Sequence, residues 1–373
     1  MQEKTEREGW IHSFSGLRFL FVVCLMLHHF DMFNDLNLPG WDRVMKLLSE
    51  GYLSVNFFFI LSGFSVEHGY GRRMRSGLVS KKDFMVGRLA HLWPTYLLCL
   101  FAALFFYTGW RYALTYLQGS DFWIHFFMLQ SWIVDGACAF NFNGAAWSVS
   151  TELFFYIVFF LLFDMDAKRR NFLTVGIWAV ILLNVVVVGT NSPTSFWLNY
   201  INPVFRLGDF LLGIWLHDLY QRRRERCLGR ATCLEVGSCV LVAAAVLLAA
   251  NVNLGWEWRW QVWYTVPCAL LIYAFSFDAG IISKILATKP FQFLGKISFP
   301  LYLVHQICLW WVKQRLTGCI DSWQIALLAG ACGLVLSIVV AIAVEFLFTE
   351  PLNELIRRKW KNQIACRSRG ETV

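Results

Sequence analysis

Apolar residues run along this chain in long blocks separated by short polar connections. Ten blocks are long enough to cross a bilayer, which takes about 20 mostly apolar residues: 14–33, 51–70, 84–107, 143–163, 171–190, 199–219, 232–250, 259–278, 293–312 and 323–348. The blocks are continuous and lack alternation of apolar and polar positions, so the pattern predicts helices rather than barrel strands. The connection 108–142 carries its own apolar piece, Phe122 to Ile133, read as a re-entrant or interfacial segment. The first block holds Arg18 and two histidines and is followed by no small-residue cleavage site, so it is not a removable signal. The predicted fold is all-α, a polytopic membrane protein of about ten transmembrane helices. It divides into an N-terminal segment 1–13, a membrane domain 14–350 and a basic tail 351–373.

Composition removes the alternatives. Hydrophobic residues make up 57% of 373 and charged residues only 16%, against about 25% charged in soluble domains. A soluble enzyme and a disordered chain are excluded. Most of the 11 cysteines lie in apolar stretches, with no paired-cysteine or zinc-type spacing. They are read as small packing residues, with neither a disulfide framework nor a metal site.

The net charge of +8 is a topology signal. With the N-terminus placed inside, the cytoplasmic segments hold 23 Lys and Arg and the outer loops 6, while Arg18, Arg88, Arg206 and Lys296 lie within or at the spans. Both termini are therefore expected in the cytoplasm, and no nucleic-acid partner is needed to explain the charge.

Ionisable residues inside a membrane helix are costly and mark candidate function. In the first span, His29 lies eleven positions after Arg18, with ten residues between them. That is close to three turns, so both share one face about 16 Å apart. The reading joins an anion binder to a proton acceptor; a snorkelling arginine and an interfacial histidine fit the same pattern. The second span carries Ser54, Ser62 and Gly63, small enough for close helix approach, and Asn56, which needs a partner. Arg72, Arg73 and Arg75, then Arg88, suit either a solvated topology loop or a phosphate site. Glu152 lies one turn into an apolar helix and must be paired, bonded or protonated. Arg206 and Asp209 are three apart and read as a structural ion pair. Tyr302 and His305 share a face of the ninth span.

Seven segments, in order, resemble the acyltransferase type 3 family of bacterial membrane acyltransferases: Gly16-Leu17-Arg18 with His29; Asn56-Phe57-Phe58-Phe59-Ile60-Leu61-Ser62-Gly63-Phe64; Arg88 with Trp93-Pro94; Trp147-Ser148-Val149-Ser150-Thr151-Glu152 with Phe155-Tyr156; Arg206-Leu207-Gly208-Asp209; Gly295-Lys296-Ile297-Ser298 with Tyr302 and His305; and Glu350-Pro351. The chain differs from the usual pattern at Asn56, Leu153 and Asp209. The resemblance implies a multi-pass enzyme of the bacterial cytoplasmic membrane. It would move an acyl group, usually acetyl, from acyl-CoA to a hydroxyl of a cell-surface glycan or lipid-linked saccharide. Relatives with a fused esterase-like domain are not the expected pattern, since only about twenty residues follow the tenth span.

On that basis Arg18, Arg72, Arg73 and Arg88 are expected to hold acetyl-CoA. His29 is expected as general base and Glu152 as its orienter or an acceptor ligand. Asn56, Tyr302 and His305 are candidates for substrate or oxyanion contact. A glycan or solute transporter, and an acyl relay serving a separate transferase, remain the competing readings. The acceptor, the acyl length and whether the chain forms a homo-oligomer are not legible.

Overall fold

A computed structural model describes residues 9–134, 136–187, 194–252 and 254–368. The start of the 1–13 segment and the ends of the 171–190 stretch and of the tail lie outside them. Among the described residues the chain is helical throughout, with no strand. The ten apolar blocks correspond to α1 (Ser13–His28), α2 (Leu53–Val66), α3 (Lys81–Gln118), α4 (Trp147–Leu162), α5 (Ala167–Val187), α6 (Pro203–Cys227), α7 (Ala231–Asn251), α8 (Thr265–Phe275), α9 (Ser298–Leu316) and α10 (Trp323–Val344); α11 (Glu350–Ser368) continues from α10. This is an all-α polytopic membrane protein.

Among the described residues, seven helical runs are by themselves long and apolar enough to cross a bilayer. One of them, Trp197–Asn251, contains both α6 and α7. It doubles back at the turn Leu228–Arg230. α8 and the residues flanking it show this, because Thr265 and Phe277 meet Asp209 and Tyr220 of α6 in parallel order, whereas Trp263 and Gly280 meet Ala245 and Glu235 of α7 in reverse order.

The blocks 259–278 and 293–312 are less regular than their apolar runs suggest. α8 has only eleven residues, preceded by a π-helical turn Trp258–Trp263. The ninth block is split at Ile297 between the short helix Lys289–Lys296 and α9. The Phe122 to Ile133 piece is likewise not one inserted segment. It forms a short helix, Ser120–Phe126, and a 3-10 turn, Gln130–Trp132. These fold onto α3, with Tyr96 donating to the His125 carbonyl at 2.6 Å and Gln130 to the Tyr96 hydroxyl at 3.1 Å. α3 breaks at Gly109, whose φ of +70° glycine adopts without a Cβ clash.

The tightest crossing is α2 against α6. A Cβ built on Gly63 would lie 1.9 Å from the Phe210 carbonyl oxygen, and one on Gly213 would lie 2.0 Å from that of Ile60. The two glycines thus admit each other's backbone, the close approach expected of small residues in membrane helices. Large apolar side chains such as Phe172, Leu183 and Val187 on α5, Val240 on α7 and Leu328 on α10 point outward, as a lipid-facing belt requires.

The fold sorts the connections into the same two sets as the charge partition. At one end, Asp278 accepts from the backbone of His12 and Ser13, Arg75 donates to the Phe163 carbonyl, Arg170 pairs with Asp218, and Trp360 of α11 bonds Asp83. At the other, Lys46 bonds Asn251, Ser195 bonds Glu257, Lys313 pairs with Asp35, and Arg259 pairs with Glu50. The basic segments therefore gather at one end of the bundle.

Candidate functional site

α4 supplies the spine of the site. Ser148, Glu152 and Tyr156 follow at intervals of four and so stack on one helix face. Tyr156 donates to Glu152 Oε1 at 2.5 Å, and Ser62 of α2 donates to the same oxygen at 3.1 Å. One turn along α2, Ser65 accepts from the Arg18 guanidinium at 3.3 Å. Arg88 of α3 lies over the rings of Tyr70 and Tyr156, 4.5 and 5.6 Å from their centroids, with its Nε enclosed and unbonded. Arg18, Glu152 and Arg88 thus converge from α1, α4 and α3 at the basic end.

The other end of the stripe holds the histidines. Ser148 and the Tyr302 hydroxyl are 2.6 Å apart, and Tyr302 also donates to the Ala145 carbonyl at 2.9 Å. His305 Nδ1 lies 2.6 Å from the Tyr302 carbonyl, which only a ring N–H can satisfy, so its buried, unbonded Nε2 presents a lone pair in the neutral ring. The His29 ring stands 5.1 Å from that of His305. Gln306 Nε2 lies 3.1 and 3.2 Å from the two nitrogens of His29.

α1 ends at His28, and His29 opens a 3-10 turn, His29–Leu36. The Arg18–His29 spacing is nevertheless carried almost wholly by helix; Arg18 meets Ser65 of α2, and His29 meets Gln306 and stands beside His305 of α9. His28 turns away, bonding the Ser49 carbonyl through Nδ1 at 2.7 Å. Arg18, Ser62, Arg88, Glu152, Ser148, Tyr302, Gln306 and His29 are all only half-buried, although they hang from helices inside the bundle. They form a polar strip with accessible surface along its length. A cavity of about 380 Å³ adjoins its far end, with Gln306, Gly144 and a set of aromatic rings in its wall.

Arg72 and Arg73 are exposed on the helical turn Arg72–Arg75 at the basic end, whereas Arg75 is tied to Glu67. Asn56 is placed elsewhere. It is fully buried with Arg206, Asp209 and Thr265, where Arg206 pairs with Asp209 at 3.2 Å and donates to the Tyr200 carbonyl at 2.8 Å. The expected ion pair is therefore present and encloses Asn56, away from the strip.

Among the described residues, two groups bring metal-ligand atoms within 4.8 Å of one another: His28, His29 and Asp31, and Glu67, His217 and Asp218. Arg75 and Arg170 already engage Glu67 and Asp218, which disfavours a cation at the second. Ser148 and Ser62 were recognisable as site residues by their spacing from Glu152 and along the second span. Gln306 carried no such signal, because its partners, His29 and Ala145, are remote in sequence.

The family described as an acyltransferase domain matches residues 11–346. The chain belongs to the acyltransferase type 3 family. Among curated proteins, the O-acetyltransferase OatA of Staphylococcus aureus is 24% identical over 324 residues, 81% of this chain and 51% of that protein. The putative peptidoglycan O-acetyltransferase YrhL of Bacillus subtilis is 23% identical over 329 residues, 82% of this chain and 49% of that protein. Protein 2 in the picA locus of Rhizobium radiobacter is 40% identical over 52 residues, covering 14% of this chain and 27% of that protein. The chain spans about half the length of OatA and YrhL. No solved structure matches it.

Proposed function

We propose that the protein transfers an acyl group, acetyl in the first instance, from acyl-CoA to a hydroxyl of a cell-surface glycan or lipid-linked saccharide. The observation that carries this reading is the half-buried polar strip, with arginines at one end and an imidazole at the other. Anionic coenzyme A suits Arg18, Arg72, Arg73 and Arg88, since guanidinium groups match phosphate oxygens with paired donors. The basic end is then the cytoplasmic one, where the positive-inside rule puts it and where acyl-CoA is made. The pantetheine arm lies along Ser62, Glu152 and Ser148 and brings the thioester toward His29.

His29 accepts the proton of the acceptor hydroxyl as its oxygen attacks the thioester carbonyl carbon. The tetrahedral oxyanion needs a donor in a water-poor site. Tyr302, beside Ser148, supplies that donor by turning its O–H away from the Ala145 carbonyl. The C–S bond then breaks, and the thiolate takes the proton from the imidazolium, giving the acyl ester and free coenzyme A. Glu152 is bonded to Tyr156 and Ser62 and not to His29, so in place of the expected imidazole-orienting role it orients the donor between its phosphates and its thioester. Asn56, enclosed by its own partners, holds the helices together. No metal enters this scheme.

The test is incubation of the purified protein with radiolabelled acetyl-CoA and isolated surface polysaccharide, alongside mass spectrometry of glycans from wild-type and deletion strains. Label in the polysaccharide, and loss of an acetyl mass in the deletion strain, are the expected results. A transporter leaves acetyl-CoA untouched. A relay consumes it without modifying the polysaccharide unless a second protein is added.

A further inference from the structure

The cavity beside Gln306 lies at the end of the strip remote from the basic loops, among residues 107–144 and α9. Its volume of about 380 Å³ is within the range of small-molecule sites, about 300–1,000 Å³. Tyr107, Tyr116, Phe140 and Phe142 line it with aromatic rings, and Asn141 and Gln306 with amides. None of the described lining residues is charged. Such walls suit a pyranose, whose C–H groups meet the negative face of aromatic rings while its hydroxyls meet amides.

Gln306 belongs both to this cavity and to the contact with His29. Its Oε1 accepts from the Ala145 backbone N–H at 3.0 Å, which fixes the amide so that its NH2 faces the imidazole. A donor in that place lies between the two ring nitrogens of His29 and competes with an incoming O–H for whichever one carries the lone pair. We propose that the cavity is the subsite for the acceptor saccharide and that Gln306 is the gate between it and His29. The inference rests on the acyltransferase reading and extends it to the choice between transfer and hydrolysis.

A saccharide seated on the aromatic walls displaces the amide and delivers its hydroxyl to the base. Water has no comparable contact surface and competes poorly with the tethered amide. In the side reaction that the gate suppresses, His29 takes a proton from water, the hydroxide oxygen attacks the acyl carbon, and the C–S bond breaks to release the carboxylic acid. Coenzyme A leaves as thiolate and takes up the proton from His29. Gln306 is a positioning residue in this scheme, since it acts through His29.

The experiment uses the full chain in lipid nanodiscs with radiolabelled acetyl-CoA. Acetate release is measured without acceptor, and transfer is measured with isolated surface polysaccharide. Gln306→Ala is expected to raise acceptor-independent hydrolysis about threefold to tenfold, the span set by one hydrogen bond, without raising transfer. Gly144→Ala is expected to shift the partition the same way. Its Cβ would lie 2.8 Å from Gln306 Oε1 and push the amide off its tether without altering its chemistry. Tyr116→Ala and Phe140→Ala remove half-exposed rings and are expected to raise the KM for polysaccharide while leaving that for acetyl-CoA unchanged.

Hydrolysis that stays flat or falls in both Gln306→Ala and Gly144→Ala, with wild-type transfer intact, overturns the gate. An unchanged polysaccharide KM in both ring variants overturns the subsite. If the wild-type protein neither transfers nor hydrolyses acetyl-CoA, the acyltransferase reading itself falls, a result distinct from either of these.

Discussion

Two of the polar regions inside this bundle are built in opposite ways. In the Asn56–Arg206–Asp209–Thr265 network every residue is closed off from solvent, and the charges compensate each other directly. In the strip from Arg18 to His29 the side chains keep accessible surface. Among the described residues, Arg18 has one hydrogen bond, at 3.3 Å, to a serine, and the carboxylate of Glu152 is met by two hydroxyls and no cation within 4 Å. Residue type does not separate the regions, since each holds an arginine and a carboxylate. What separates them is whether a charge has already found its counterpart within the chain. A compensated charge holds helices together; one left with neutral partners is available to a ligand.

The largest expected effect that separates the regions is on catalysis. His29→Ala should lower transfer by about 10²–10⁴-fold, the usual contribution of a positioned base, with membrane expression and thermal midpoint near wild type. Loss of the folded protein instead would move His29 into the structural class.

The sealed network should respond in the reverse sense. Asp209→Ala leaves Arg206 buried without a counter-charge and should cost about 3–5 kcal/mol, seen as loss of monodisperse protein in detergent. Arg206→Met with Asp209→Leu should recover much of that loss, because a buried pair can be exchanged for apolar packing. A double variant as unstable as the single one would show that these residues do more than balance charge.

Arg18→Ala should raise the KM for acetyl-CoA by about tenfold or more, as expected for one charge-assisted contact of about 1.5–3 kcal/mol, with kcat changed less. An effect confined to acceptor use would remove Arg18 from the donor site. The smallest effect is expected at Arg72→Ala. An exposed cation contributes about 0.2–1 kcal/mol, so the donor KM should rise a few-fold at most and the difference should shrink as salt is added.

Much of this contrast was legible in the sequence. The ten apolar blocks and the gathering of basic loops at one end follow from bilayer thickness and loop charge, which act locally along the chain. The Arg206–Asp209 pair followed from helical spacing. The break at Ile297 was not read, although Gly295 and Pro300 flank it, because an apolar count over 293–312 runs across both helices. The inclusion of Asn56 in the ion-pair network also escaped, since it depends on α2 meeting α6 and α8. Gln306 escaped for the same reason, as its amide is oriented by a backbone N–H some 160 positions earlier.

The Gly63–Gly213 crossing bears on the strip although neither glycine belongs to it. Ser62, which holds Glu152, precedes Gly63 in the chain, and Ser65 follows two residues later. A methyl group at either glycine forces two backbones apart and tilts that serine pair away from Glu152 and Arg18. Such a substitution would mimic an active-site lesion from outside the active site. Directed screens for inactive variants should therefore recover alanines at this seam, in protein that still folds but handles its donor poorly.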